Sequence, residues 1–257
     1  MYRGFIINNT PSFKREEYYQ GLKVLEKYEC DVTDSLGSYI IDDDGILDGS
    51  AILNDWFPQV DCDVFISHSH KDKDLAISLA GWLWDKFKLN SFIDSCIWGY
   101  ANDLLKKIDN AYCLNADRKT YNYNQRNCST SHVHMMLNMA LMQMIDKTEC
   151  LFFLKTPNSI CLDDIETCTL SPWIYSEIGI SQMIEKKKSR SKRFSDSRAN
   201  ESLDIQYDLD LSHLTAIDKN VFIKWAGKVH YEKEDALEVL YKILPAPNKK
   251  NEKTYIF

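Results

Sequence analysis

Short apolar runs alternate with amphipathic segments along most of the chain, and this pattern predicts an α/β protein. The apolar run at 62–66 precedes a polar loop and then residues 73–87, where leucines recur at helical spacing. A second run, 150–154, precedes a helix that we expect over 171–185, because Ser171 and Pro172 give a typical helix start. This alternation favours a mainly parallel, flavodoxin-like sheet with helices on both faces.

The remaining predicted elements follow from the same periodicities. The clearest is the helix over 131–146, in which apolar residues recur three and four positions apart. The other helices are predicted over 14–28, 102–111 and 232–244, and the other strands over 91–94 and 221–225.

Composition shifts divide the chain into a domain and its attachments. Residues 1–60 are predicted as an N-terminal extension made of one helix and an acidic loop, and residues 61–245 as the domain. Within the domain we expect a polar insertion over 113–130 and a mobile basic loop over 186–202. Residues 246–257 form a polar tail.

Charge and cysteine content narrow the class of protein. A net charge of −7 argues against binding nucleic acid or acidic membranes by bulk attraction. No apolar run reaches the roughly 18 residues of a membrane span, and the N-terminus turns polar too early for a secretory signal. The 8 cysteines form no Cys-x-x-Cys pair, which indicates reduced thiols and a cytoplasmic location.

Polar side chains follow the first two strands of the predicted domain. Ser67, His68 and Ser69 come after the first strand, and Asp94, Ser95 and Trp98 come after the second. Because the carboxyl ends of parallel strands meet at one edge of a sheet, we expect these loops to lie close together. The sequence therefore predicts a small-molecule site at this edge.

The helix after the strand at 150–154 delivers a carboxylate to the same edge. Trp173 and Glu177 are four residues apart, so they share one helix face. A carboxylate beside an indole is partly desolvated, which changes its proton affinity and strengthens its field on a nearby cation. Taken alone, Glu177 fits an ordinary surface glutamate better than a site residue.

Other chemistries lack their usual signatures. His68-x-His70 and His132-x-His134 have no Cys or carboxylate partners at ligand spacing, so we expect no metal. The chain has no Gly-x-Gly-x-x-Gly, no Gly-Lys-Ser/Thr and no Gly-x-Ser-x-Gly, which argues against Rossmann, P-loop and serine-hydrolase sites.

Three segments together resemble a TIR (Toll/interleukin-1 receptor) domain. Residues 63–72 resemble the first strand and loop of that family, 92–98 resemble the second strand and loop of bacterial members, and 171–178 resemble its Trp-x-x-x-Glu segment. The resemblance implies a TIR fold in which NAD is the substrate and no other cofactor is needed. It implies a catalytic role for Glu177 and a substrate-binding role for the following residues: Ser67, His68, Ser69, Asp94, Trp98 and Trp173.

Enzymes of this family cleave the nicotinamide–ribose bond of NAD, giving ADP-ribose or a cyclic or conjugated product. In bacteria they often serve anti-phage defence, such as the Thoeris systems. The resemblance therefore also implies a homo-oligomer formed through TIR contacts, a phage-derived trigger and a separate effector that responds to the product. Loss of nicotinamide leaves an oxocarbenium-like ribosyl cation, which one fixed carboxylate can stabilise.

Two alternatives stay open at this level. A non-catalytic TIR adaptor would act by self-assembly, and Glu177 would be incidental to it. A nucleoside deoxyribosyltransferase would also use a glutamate on a sugar, but would process nucleosides and ignore NAD. A response-regulator receiver is disfavoured, because the first strand ends in Ser67-His68-Ser69 where an acidic pair is expected.

Overall fold

The chain folds into an α/β domain, as a computed structural model shows for residues 1–28, 36–41, 46–98, 101–161, 168–185, 207–228 and 233–245. The strands in these ranges are β1 (Arg3–Ile7), β2 (Val64–Ser67), β3 (Ser91–Phe92), β4 (Cys150–Leu154), β5 (Cys168–Thr169), β6 (Tyr207–Asp208) and β7 (Thr215–Ile217). The α-helices are α1 (Arg15–Leu25), α2 (Gly49–Trp56), α3 (Lys73–Phe87), α4 (Asp94–Ile97), α5 (Ala101–Tyr112), α6 (Tyr123–Lys147), α7 (Pro172–Glu185), α8 (Lys219–Ala226) and α9 (Lys233–Ile243).

The main sheet has five strands in the order β3-β2-β4-β1-β7, and each neighbouring pair is parallel. This arrangement confirms the predicted flavodoxin-like α/β class, whose strands run 2-1-3-4-5. In a chain with the 2-1-3-4-5 order, the fourth strand along the sequence lies between the third and the fifth. Here the N-terminal strand β1 takes that place, between β4 and β7. A separate antiparallel pair, β5 and β6, lies outside the main sheet.

The prediction that residues 1–60 lie outside the domain is wrong for the first strand. Arg3 pairs with Cys150, and Phe5 pairs with Phe152 on one side and Thr215 on the other. The strand is buried along its whole length, including Arg3, whose guanidinium donates to Thr215 Oγ1 at 2.7 Å. The strand has only three consecutive large apolar residues, Phe5 to Ile7, and they carry no local mark of partners that lie more than a hundred residues away, so the sequence pattern did not reveal it.

One face of the sheet is covered by α3, α8 and α9. Facing residues on adjacent strands point to the same side, and Phe5 and Phe152 meet there edge to face. Tyr241 of α9 stacks on Phe5 with ring centroids 6.1 Å apart, and Trp225 of α8 contacts Phe152. Trp82 of α3 packs edge to face on Trp225 and completes this aromatic layer.

The opposite face is covered by α2, α5, α6 and α7. Phe92 faces this side with Phe65, its partner in the β2–β3 pairing. Trp98 packs edge to face on Phe92 at 4.9 Å and on Phe57 at 5.6 Å between centroids. Helix α6 contacts α2, α5 and α7 and so holds this layer together.

Several predicted elements are confirmed with small shifts in their bounds. Predicted helices correspond to α1, α3, α5, α7 and α9, and predicted strands correspond to β2, β3 and β4. The basic loop at 186–202 and the tail at 246–257 lie outside the described residues.

One predicted strand and the predicted start of one helix are wrong. Residues 221–225 belong to helix α8 rather than a strand, and the last strand of the sheet is the preceding β7. Burial of Phe222 and Trp225 three residues apart fits a helix face, whereas the short run was read as a strand. The polar insertion at 113–130 is a turn followed by the first two turns of α6, whose Asn122 cap accepts a bond from the Gln125 N–H at 3.1 Å.

Within the described ranges, no helix is long and apolar enough to cross a membrane.

Candidate active site

The carboxyl end of β2 brings Ser67 against Glu177 of α7. The Ser67 hydroxyl donates to Glu177 Oε2 at 2.5 Å, and both side chains are almost fully buried, at 1% and 3% exposure. Helix α7 begins where the sequence predicted, because the Ser171 hydroxyl accepts from the Ile174 N–H at 3.3 Å. The structure therefore joins two of the predicted site residues through a direct hydrogen bond.

Burial is the main electrostatic influence on Glu177. It raises the pKa of this carboxyl well above its ordinary value, because the charged form loses its water. The negative charge of Asp94 raises the pKa of Glu177 further, and the bond from Ser67 opposes both effects. Burial and a neighbouring negative charge both disfavour the charged carboxylate, so Glu177 holds its proton more tightly than an isolated glutamate would.

His68 connects the loop after β2 with the loop after β3. Its Nε2 lies 3.1 Å from Ser95 Oγ, and its Nδ1 lies 3.3 Å from the Ile66 carbonyl oxygen and 3.9 Å from Asp94 Oδ1. Burial lowers the pKa of His68, although the Asp94 carboxylate favours its charged form. With both ring nitrogens engaged, His68 sets the positions of Asp94 and Ser95.

A cavity of about 340 Å³ opens beside these groups. Its volume is at the lower end of the range for small-molecule sites, roughly 300–1,000 Å³. Two of the lining residues are indoles, and one, Asp94, carries a formal charge. The lining residues are His70, Asp94, Ser95, Trp98, Ala101, Asn102, Leu137, Leu141 and Trp173.

Three of the predicted binding residues line this cavity and three do not. Asp94, Trp98 and Trp173 are on its wall. Ser67 and His68 are buried beside Glu177 and Asp94, one layer behind the wall, and Glu177 is coupled to the cavity through the charge of Asp94. Ser69 is half-buried and precedes the 3-10 turn His70–Asp72, outside the lining.

The two indoles are held in different ways. Trp98 is 7% exposed, and its Nε1 donates to the Pro58 carbonyl oxygen at 2.9 Å, so it presents a fixed surface to the cavity. Trp173 is mostly packed against His134 of α6, edge to face, with ring centroids 5.4 Å apart. His134, which the sequence offered only as part of a metal-like His-x-His pair, thus contacts a wall residue of the cavity through Trp173.

Helix α6 also fixes α7 along its length. Ser176, next to Glu177 in sequence, donates to Asn138 Oδ1 at 2.5 Å, and Asn138 is four residues beyond His134 on α6. These two contacts between the helices set the rotation of α7 about its axis. Since Trp173 and Glu177 lie on that helix, α6 determines where both are placed.

The loops after β2 and β4 are joined by a second cluster. Asp72 accepts from Thr156 Oγ1 at 2.5 Å and from Asn158 Nδ2 at 2.8 Å. His70, which lines the cavity, is in the same 3-10 turn as Asp72. The cluster therefore holds one wall of the cavity against the carboxyl end of β4.

Sequence reasoning missed several lining residues. His70 was considered only as a metal ligand, whereas Ser95 was predicted with Asp94 and Trp98 as a loop residue after the second strand, and it does line the cavity. Leu137 and Leu141 were recognised as members of the apolar stripe of α6 and assigned to the core. Their spacing of four residues predicts one helix face, and it cannot distinguish a face against core from a face against a cavity.

Among the side chains that the structure describes, no group of three His, Cys, Asp or Glu is arranged to hold a metal ion.

Comparisons with protein-family models, with curated proteins and with solved structures gave no match to this chain. The assignment of a function therefore depends on the site itself.

Proposed function

We propose that this protein cleaves the nicotinamide–ribose bond of NAD, with Glu177 as the catalytic carboxylate. The observation that carries the proposal is the buried Ser67–Glu177 pair beside an indole-lined cavity with Asp94 on its wall. The order of these residues along the chain is also that of the TIR-like segments in the sequence.

The electrostatics of the site suit a cationic substrate. The nicotinamide ring of NAD carries a positive charge, which would favour ionisation of Glu177 and be attracted by the Asp94 carboxylate on the cavity wall. Trp98 and Trp173 offer aromatic surface to such a ring, and cation–π attraction favours that placement. The cavity is large enough for the nicotinamide riboside half of the molecule, so the remainder would extend outside it.

The reaction needs one bond broken and one formed. The electron pair of the bond between the ribosyl carbon and the ring nitrogen leaves with nicotinamide, which departs neutral. The ribosyl cation is stabilised by the Glu177 carboxylate, and water or a hydroxyl of the same nucleotide then attacks the carbon and loses a proton. Glu177 must turn from Ser67 toward the cavity for this step.

The test is incubation of the purified protein with NAD, alone and with lysate from phage-infected cells, followed by mass spectrometry of the nucleotides. We expect nicotinamide release, and Glu177→Gln should lower its rate by at least about 100-fold. Glu16→Gln removes an exposed carboxylate at the start of α1 and serves as the matched control, with an unchanged rate.

A second variant tests the position of Glu177. Because the bond from Ser67 lowers the pKa of Glu177, Ser67→Ala should raise that pKa and move the rising limb of the pH–rate profile to higher pH. If NAD stays intact both with and without lysate, the proposed NAD-cleaving activity is refuted. If the protein releases nucleobases from nucleosides and leaves NAD intact, the result favours a deoxyribosyltransferase.

A specific observation supports an adaptor as the second candidate. Met135, Met139 and Met142 are exposed at helical spacing along α6, which gives an apolar stripe suited to self-assembly. If NAD stays intact and light scattering shows that Met139→Glu changes the oligomeric state, the result supports a non-catalytic adaptor instead of an enzyme.

A further inference from the structure

Two cysteines face each other where the chain passes from β4 towards α7. Cys161 and Cys168 form an antiparallel bridge, and the Cys161 N–H donates to the Cys168 carbonyl oxygen at 2.7 Å. Neither is part of a disulfide in the structure; Cys161 is half-buried and Cys168 is fully buried. Nothing in the proposed reaction uses either of them.

The bridge places the two residues within disulfide reach. Residues directly opposite in an antiparallel pair have their Cα atoms about 4.5–5.5 Å apart and their side chains on one face. A disulfide needs a Cα separation of about 4.4–6.8 Å. The facing Cβ atoms of such a pair are about 4.5–5.5 Å apart and those of a disulfide about 3.5–4.5 Å, so a bond between the two sulfur atoms requires rotation of the side chains and a small approach of the two strands.

We propose that Cys161 and Cys168 form a reversible disulfide that fixes the connection between β4 and α7. With hydrogen peroxide as oxidant, the more exposed Cys161 thiolate is first converted to a sulfenic acid, and one water is released. The Cys168 sulfur then attacks that sulfur and expels a second water, leaving the disulfide. Two thiols and one peroxide thus give one disulfide and two waters, and a dithiol reverses the step.

The hydrogen bonds around the bridge lead directly to the start of α7. Thr169 Oγ1 donates to the Ser159 carbonyl oxygen at 2.9 Å and accepts from the Ser171 N–H at 3.1 Å. Ser171 in turn caps α7 through Ile174. A covalent link at Cys161 and Cys168 would therefore stiffen the segment from which the helix of Trp173 and Glu177 begins.

The experiment uses the full chain in hydrogen peroxide, followed by alkylation of the remaining thiols and digestion with a protease that cuts after acidic residues. Glu166 lies between the two cysteines, so the disulfide appears as two joined peptides. Cys161→Ser and Cys168→Ser should each remove this species, and Cys128→Ser, which changes an exposed cysteine of α6, should leave it unchanged.

A second measurement tests whether the disulfide stabilises the segment between β4 and α7. Oxidation should raise the midpoint of thermal unfolding of the wild type by about 5 °C and leave that of Cys161→Ser unchanged. The proposal is overturned if Cys161 and Cys168 are both fully alkylated at a peroxide concentration that already oxidises Cys128. It is also overturned if Cys161 forms its disulfide with a second copy of the chain. It is also overturned if the linked protein unfolds at the same temperature as the reduced one. These outcomes do not depend on whether NAD is cleaved.

Discussion

At the scale of single residues, Glu177 is defined by what surrounds its carboxyl group. The group has one hydrogen-bond donor, Ser67, and one neighbouring negative charge, Asp94, and it is nearly sealed from water. This environment raises the pKa of Glu177 well above its ordinary value, and positive charge arriving beside the carboxyl would lower that pKa. The same environment should be visible in the stability of the protein.

Glu177→Gln should stabilise the free protein increasingly as pH rises. The folded protein holds the Glu177 proton more tightly than the unfolded chain, so its contribution to stability is full below about pH 4.5 and is lost as pH rises towards the raised pKa. Gln does not titrate, and its oxygen can still accept from Ser67. The gain in unfolding free energy should grow by up to about 1.4 kcal/mol per pH unit across that window.

Urea unfolding of both proteins between pH 5 and pH 8, in steps of about one unit, measures this difference. Glu16→Gln should show no such trend, because its carboxyl is exposed. A constant difference between Glu177→Gln and wild type across the range would mean that Glu177 is already ionised in the folded protein.

At the scale of elements, the contact between α1 and α3 is the closest helix packing in the described part of the chain. A Cβ atom added at Gly81 of α3 would overlap the carbonyl oxygen of Glu17, and one added at Gly21 of α1 would overlap that of Ile77. The two helices therefore approach each other backbone to backbone, which only glycine permits. Helix α3 follows the site loop after β2, so this contact anchors one side of the site.

Gly81→Ala should destabilise the protein by about 2 kcal/mol or more, because the added methyl group forces the two helices apart. Gly179→Ala in α7 is the matched control. No atom lies within 4 Å of a Cβ placed at Gly179, so this change should be neutral or stabilising by up to about 1 kcal/mol. Thermal unfolding of the two variants, measured in parallel, tests this prediction. Equal unfolding midpoints would contradict the close backbone contact between α1 and α3.

At the scale of the whole molecule, the N-terminal strand completes the sheet. β1 supplies partners to β4 on one side and β7 on the other, and its Phe5 is fully buried against Phe152. Removing it would expose two strand edges and an apolar face at the centre of the domain. The fold therefore needs residues from both ends of the described chain.

A truncated chain that begins at residue 61 should fail to fold, although the sequence pattern places the domain boundary there. In the full chain, Phe5→Ala should lower the free energy of unfolding by about 3–5 kcal/mol. Met135→Ala, at a position 61% exposed, should change it little. Circular dichroism and urea unfolding check both variants, and a soluble, cooperatively folded truncated chain would show that β1 is dispensable.

The residues that form the candidate site were largely identifiable from the sequence. Ser67, Asp94 and Glu177 follow short apolar runs or lie on a well-capped helix, and local patterns of this kind predict element type and the edge at which loops emerge. The direct bond between Ser67 and Glu177 was not predictable, because it joins residues more than a hundred positions apart. Nor was the role of Leu137, since a helix face looks the same whether it borders core or cavity.

The sequence by itself determined the α/β class, the parallel sheet and most helices, because these depend on periodicity and end signals within a few neighbouring residues. The tertiary structure decided the place of β1 in the sheet, the cavity beside Asp94 and the burial that raises the pKa of Glu177. Each of these depends on contacts between segments that are distant along the chain. The free energy of these contacts comes from burying surface when distant segments pack together and exclude water. A local sequence pattern carries no information about which segments pack together.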